Sequence, residues 1–393
     1  MNAIFKYIRN NWFELLVTLF IFTNLFPHWF PQWMYYLSFV MILYKMNKFH
    51  PLGTTPKTSL FVGFVICLWI STIIGMALDL RLVIFSLIIF ISMPRKSINW
   101  HNYKIKLLYN IFIGFGIATI ANLYAKQNGI NLIRVDEYML KMGRVAEFSG
   151  FASYAMWTGC SAALSAVFFT SIAFRKIGKG VVARIFSYAM ILVSLYITMI
   201  SGSRSAFFLS LVCIVLIIAL QTGKIAKFLK VAVVLGITAI FFVPFLEDNS
   251  QAMMQKKNGL EITVEETSRD ALWAQRIAEF KSSPIFGIGF AAHGVGDAKR
   301  VGRNESGGSY ISVLAQAGIV GVIFIALIWA AAFMLPKKIG KDPDVILLYA
   351  GFVFFCFHSI VEGYMFQAGW YLCLIIWMII GVMIEHKLYG RQC

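Results

Sequence analysis

Long apolar runs with almost no charge leave this chain few ways to fold. Twelve of them recur along it, near residues 12–27, 31–46, 59–77, 80–94, 105–125, 150–174, 182–201, 205–221, 230–245, 308–335, 344–359 and 366–385. A helix needs about 20 apolar residues to cross a hydrocarbon core. The chain therefore reads as an all-α polytopic membrane protein of about 12 transmembrane helices, a single membrane domain over residues 1–393. The shorter runs must tilt or be buried among neighbours. Composition agrees: 59% of the residues are hydrophobic and 13% charged, where soluble domains carry about a quarter charged. Pro31 and Pro94 fall at run boundaries, where helices start or stop.

The basic residues choose the orientation. An even number of spans puts both termini on one side. The loops on that side carry Lys6 and Arg9; Lys45, Lys48 and Lys57; Arg95, Lys96, Lys104 and Lys106; Arg175, Lys176, Lys179 and Arg184. The set continues with Lys224, Lys227 and Lys230; Lys337, Lys338 and Lys341; Lys387 and Arg391, and its only acids are Asp342, Asp344 and Glu385. The short loops of the opposite set hold just Arg81 and Arg204. The positive-inside rule then puts both termini in the cytoplasm and the polar stretches 126–149 and 246–307 outside, the longer one between spans nine and ten.

The same clustering explains the net charge of +17. Short basic groups between apolar runs mark cytoplasmic loops rather than a groove for nucleic acid. Five cysteines lie inside apolar runs and Cys393 ends the chain, with no CxxC spacing, so cysteine reads as packing and no metal site or cofactor is expected. Lys6 and Arg9 precede an apolar run without a small-residue cleavage site, the pattern of an uncleaved first span.

Two outer segments are polar enough for chemistry. In 126–149, Arg134, Glu137, Tyr138 and Lys141 share a helical face. In the longer loop, TSRDALWAQRIAEFKSSP reads as one amphipathic helix near 267–282, capped by Thr267 or Ser268 and stopped by Pro284. Trp273, Ile277 and Phe280 would form its apolar stripe, and Arg269 and Arg276, seven apart, a common polar face. Such a helix lies on the membrane surface or covers a cavity. Arg204 sits in the short turn SGSRSAF, where Ser201, Gly202, Ser203 and Ser205 allow close approach of a ligand and offer donors. An ionisable group at membrane depth pairs with something or marks a substrate path.

Three stretches together resemble the O-antigen polymerase and ligase superfamily of bacterial envelope enzymes. SGSRSAFFLSL (201–211) is similar to its Ser-Arg motif, RDALWAQRIAEFKSSPIFGIGF (269–290) to its arginine-tryptophan helix and Gly-x-Gly turn, and SGGSYISVLAQAGIVGVIF (306–324) to the small-residue start of the next span. GRVAEFSGFASYAMW (143–157) is a weaker likeness, and the first five spans match only in hydropathy. The resemblance implies substrates carried on undecaprenyl diphosphate at the outer face of the cytoplasmic (inner) membrane, with no metal. It implies that Arg204 and Arg269 hold the lipid diphosphate. Arg276 either joins them or is the solvated face of the same helix.

Ligases of the family carry a histidine just before the span after the loop. Here that stretch is RVGRNESGGSY, with Glu305 at about that place. A partly desolvated carboxylate can act as general base toward a sugar hydroxyl. His293, twelve residues upstream, is the competing base, and His358 and Glu362 are further cavity-lining candidates. Arg303, with Arg300, either steers an anionic glycan or is a solvated loop charge. The missing histidine favours an inverting polysaccharide polymerase whose donor and acceptor are both lipid-linked, working among membrane lipids and with a chain-length regulator as a possible partner. The alternatives are an O-antigen ligase and, from another class, a flippase of lipid-linked sugars. Flippases line a central path with charge, which these spans hardly carry.

Overall fold

A computed structural model describes residues 2–51, 53–134, 147–175, 180–222, 268–296, 299–302, 307–333 and 342–389. Among these residues the chain forms twelve α-helices: α1 (Asn2–Thr23), α2 (Trp33–Phe49), α3 (Thr58–Ile74), α4 (Leu80–Ser92), α5 (Ile98–Gln127) and α6 (Ala155–Ala173). The set continues with α7 (Val181–Ile200), α8 (Arg204–Thr222), α9 (Ser268–Ser282), α10 (Ser309–Ala332), α11 (Pro343–His358) and α12 (Tyr371–Tyr389). A two-residue hairpin, β1 (Ala292–His293) and β2 (Arg300–Val301), stands between α9 and α10. Six helices, α5, α6, α7, α8, α10 and α12, are long and apolar enough to cross a membrane. Helices α3, α4 and α11 are apolar but shorter. This is an all-α polytopic membrane protein. The apolar run at 230–245 lies outside the described residues.

Sequence punctuation sets several helix ends. Pro31 stands just before α2, Pro94 just after α4, and Pro343 occupies the first position of α11, where its missing N–H costs nothing. Asp79 caps α4 by accepting the Arg81 N–H at 2.7 Å.

The chain divides into two compact units. The first comprises residues 1–39, 109–263 and 336–354. Its centre is α6, buried on nearly every side. Gly159, Ser161, Ala162, Ala163, Ser165 and Ala166 let neighbouring backbones approach α6 closely. Ser165 and Ser194 join α6 to α7 through a 2.9 Å hydroxyl bond. Arg175 pairs with Asp344 at the start of α11.

The second unit comprises residues 40–108, 264–335 and 355–393 and is built around α12, whose residues from Tyr371 to Glu385 are all buried. Rings of Phe64, Phe85, Phe366 and Trp377 interlock with centroids 5.3–6.3 Å apart. Buried charge in this core is met by a carboxylate or by backbone carbonyls, as the Arg95 guanidinium is by Pro51 O and Phe90 O. Glu385 accepts from Lys104 Nζ at 2.7 Å and from the Arg95 N–H at 2.8 Å, with His101 Nδ1 3.1 Å away. Lys104 and Glu385, which the sequence pattern assigns to loops, are fully buried; each satisfies a charge that would otherwise be unaffordable in an apolar interior.

Candidate functional site

In the first unit, α7 ends in the turn Ser201–Gly202–Ser203 and α8 begins at Arg204. Gly202 has φ +69°, and its N–H returns to Met199 O at 3.0 Å. The turn leans on α6 at Gly159, where a Cβ would come within 2.5 Å of Ser201 Oγ and 2.6 Å of Ser203 Cβ. Ser201 and Ser203 are buried and Ser205 is half-buried, whereas Arg204 is exposed. Among the described residues no acid pairs with the Arg204 guanidinium.

The segment after 147 frames that turn. The Phe148 N–H bonds Ile200 O at 3.3 Å, and Thr158 Oγ1 donates to Ser149 O at 2.5 Å. Asn131 Oδ1 accepts from both the N–H and the hydroxyl of Ser149, at 2.9 and 3.0 Å. His28 Nε2 lies 2.9 Å from Leu132 O and 3.1 Å from Ser153 Oγ. Within the weaker motif it is Phe148 that bonds the end of α7 beside the Ser-Arg turn, and Ser149 that ties this segment to α6 and to Asn131. Glu137, Tyr138 and Lys141 lie outside the described residues.

In the second unit the loop is docked backbone to backbone. Helix α10 is broken at Gly318 (φ 62°, ψ −164°). The PIFGIGF turn runs into the break, where the N–H groups of Ile319 and Val320 bond Pro284 O and Ile285 O at 2.9 and 3.3 Å. In return the Ile288 and Gly289 N–H groups bond Ala315 O and Gln316 O at 3.0 and 3.2 Å. A Cβ at Gly287 would collide with the backbone of Gln316, and one at Gly318 with the Ile285 carbonyl. Both glycines have positive φ. The Gly-x-Gly turn and the glycine of the next span are thus two halves of one joint.

Helix α9 buries a polar pair rather than its apolar stripe. Trp273 and Ile277 are 36% and 42% exposed, and the buried face carries Arg276 (2%) and Glu279 (0%). Arg276 Nη1 donates to Glu279 Oε2 at 2.7 Å and to Ala292 O at 3.3 Å. Glu279 Oε1 accepts from Gln275 Nε2 at 2.9 Å and from the Gly294 N–H at 2.7 Å. Arg276 is therefore not a solvated charge: with Glu279 it ties α9 to the hairpin. Glu279 was not among the residues its sequence singled out, although its i,i+3 spacing from Arg276 was visible. Arg269 is the second residue of α9.

His293 in β1 is half-buried, opposite Arg300 in the ladder. Burial first, then the Arg276 guanidinium, hold its imidazole below the ordinary histidine value; Arg300 adds to this, against the pull of Glu279. Its Nδ1 is buried without a hydrogen-bond partner among the described residues. Glu305 and Arg303 lie outside the described residues. The first described residue after them, Gly307, is held by α9: Trp273 Nε1 donates to Gly307 O at 2.9 Å. His358 is fully buried, with Nδ1 3.0 Å from the Tyr364 hydroxyl. Glu362 contributes its carbonyl, which accepts from Ser309 Oγ at 2.6 Å. The start of α10 is thereby stitched both to α9 and to the turn after α11. Arg276, His293, His358 and Glu362 belong to the second unit, and so does the backbone of Arg269; Arg204, Ser203 and Ser205 belong to the first.

No curated protein matches the chain. A family model described as O-Antigen ligase does, over residues 188–326. The matched stretch runs from within α7 through Arg204 and α9 to beyond the break in α10, which are the three motifs described above. It lends the flippase reading no support. Over residues 188–326 the chain is therefore similar to the family described as O-Antigen ligase.

Proposed function

We propose that the chain is a polysaccharide polymerase that joins lipid-linked repeat units at the outer face of a bacterial inner membrane. The observation that carries the reading is Arg204. It is an exposed guanidinium on a turn fixed by buried small residues, inside the region that matches the O-Antigen ligase model. An exposed arginine held by its backbone is suited to receive a phosphate, because its fork binds phosphate oxygens bidentately.

In the proposed reaction a hydroxyl of the acceptor sugar attacks the anomeric carbon of the donor. The new C–O bond forms as the bond to undecaprenyl diphosphate breaks, which inverts the anomeric centre. Negative charge grows on the leaving diphosphate, and Arg204 with Arg269 stabilises it there more than in the ground state. The hydroxyl proton passes to Glu305, the residue that stands where related ligases carry histidine. A second reading gives the proton to His293, whose imidazole is held below the ordinary histidine value by burial and by the Arg276 guanidinium. Arg276 serves in either case as a positioning residue, since its charge is already met by Glu279. Both termini lie in the cytoplasm, and a chain-length regulator is the proposed protein partner.

The surface polysaccharide of a deletion strain tests this. Lipid A–core bearing one repeat unit is the result for a polymerase. Bare core would assign the chain to ligation instead, and an unchanged ladder would remove it from the pathway.

A further inference from the structure

Strand β2 lies over the outer turn between α3 and α4. Lys299 Nζ donates to Gly75 O. The Gly302 N–H extends the ladder to Ala291 O at 3.0 Å, and a side-chain carbon at Gly302 would stand 3.6 Å from Arg81 Nη1. Arg300 is exposed and two residues before Gly302; along an extended strand that spacing returns to the same side. Arg81 is 40% exposed, yet its Nη1 is buried with no hydrogen-bond partner among the described residues. Its ion pair with Asp79 is 3.9 Å long, too far for a hydrogen bond, and Asp79 Oδ1 is engaged as the cap of α4. Two guanidiniums thus share one side of the hairpin, and with glycine at 302 no side chain of the ladder stands over the partly exposed Arg81.

We propose that Arg81 and Arg300 form a second phosphate-binding site, which takes the diphosphate of the acceptor lipid. The inference rests on the polymerase reading, in which two lipid diphosphates are held at once, one leaving and one staying on the acceptor. A phospholipid headgroup offers the same chemistry, so the test must separate the two sources. Native mass spectrometry of the full chain in phosphatidylcholine nanodiscs, with farnesyl diphosphate as probe, counts the sites. Wild type is expected to hold two probes, Arg81→Gln and Arg300→Gln one each, and Arg204→Ala one. Losing one charge-assisted contact weakens the affected site about 10- to 100-fold. Arg300 is exposed, so its variant keeps the test valid if the Arg81 variant folds poorly. Two probes retained in both variants, with one in Arg204→Ala, would overturn the second site and leave the polymerase reading standing. Two probes in Arg204→Ala with one in the Arg81 or Arg300 variant would do the reverse. Displacement of the Arg81-dependent probe by added phosphatidylglycerol would also overturn the proposal, assigning the site to bulk lipid.

Discussion

Arg276 shows how burial decides what a charge can do. Its position in α9 makes it a natural companion of Arg269, but its guanidinium is spent on Glu279 and Ala292 O. Arg276→Ala leaves the Glu279 carboxylate buried and unpaired, and should destabilise the protein by about 3–5 kcal/mol. Glu279→Gln, which keeps shape and one acceptor, should cost less; thermal unfolding in detergent compares them. His293 makes a prediction with a definite sign. Its folded value lies below the ordinary one, so the unfolded chain binds a proton at higher pH than the native chain does. Stability should therefore fall as the pH drops below about 6.5 toward that lowered value, and should not change on its account above it. His293→Asn should flatten this part of the pH dependence, and an unchanged slope would count against it. The sequence marked Arg204 by its turn of small residues and left Arg276 open between a site residue and a solvated face. Only burial separates them, because a helical spacing names a face without naming what the face meets.

At the scale of elements, the joint between α10 and the PIFGIGF turn carries the loop. Gly318→Ala would place a Cβ on the Ile285 carbonyl, in a positive-φ conformation almost confined to glycine that alone costs about 1–3 kcal/mol. The expected outcome is an undocked loop, seen as faster proteolysis between α9 and α10 and as lost long-chain polymer. Protection equal to wild type would show that the joint tolerates a side chain. Helix α9 runs from Ser268 to Ser282, where the sequence placed a helix near 267–282, and Pro284 just beyond it is a local stop signal. Its buried side was not legible. Nothing local announces that the hairpin supplies Gly294 N–H and Ala292 O to a buried polar pair on this helix. The break at Gly318 was likewise hidden, since a glycine in an apolar run says nothing of the strand that will enter beside it.

For the whole molecule, hydropathy is a strong signal because a bilayer admits so few backbone structures. Eleven of the twelve apolar runs fall on helices, α1 to α8 and α10 to α12. What the runs did not reveal is the division into two units drawn from interleaved parts of the chain, which depends on contacts far apart in sequence. Orientation is a prediction of charge alone. A reporter enzyme active only outside the cytoplasm should be inactive when fused after α12 and active when inserted after residue 250; the opposite pattern would reverse the membrane topology. The proposed clamp is open to the most direct measurement of all. With Arg204→Ala in place of the wild-type chain, electrophoresis of surface polysaccharide and of the lipid-carrier pool should show single repeat units and no ladder. The loss in rate should be about 10²–10³-fold, with Arg204→Lys only partly restoring it. A ladder of normal length and intensity in the Arg204→Ala strain would contradict the account.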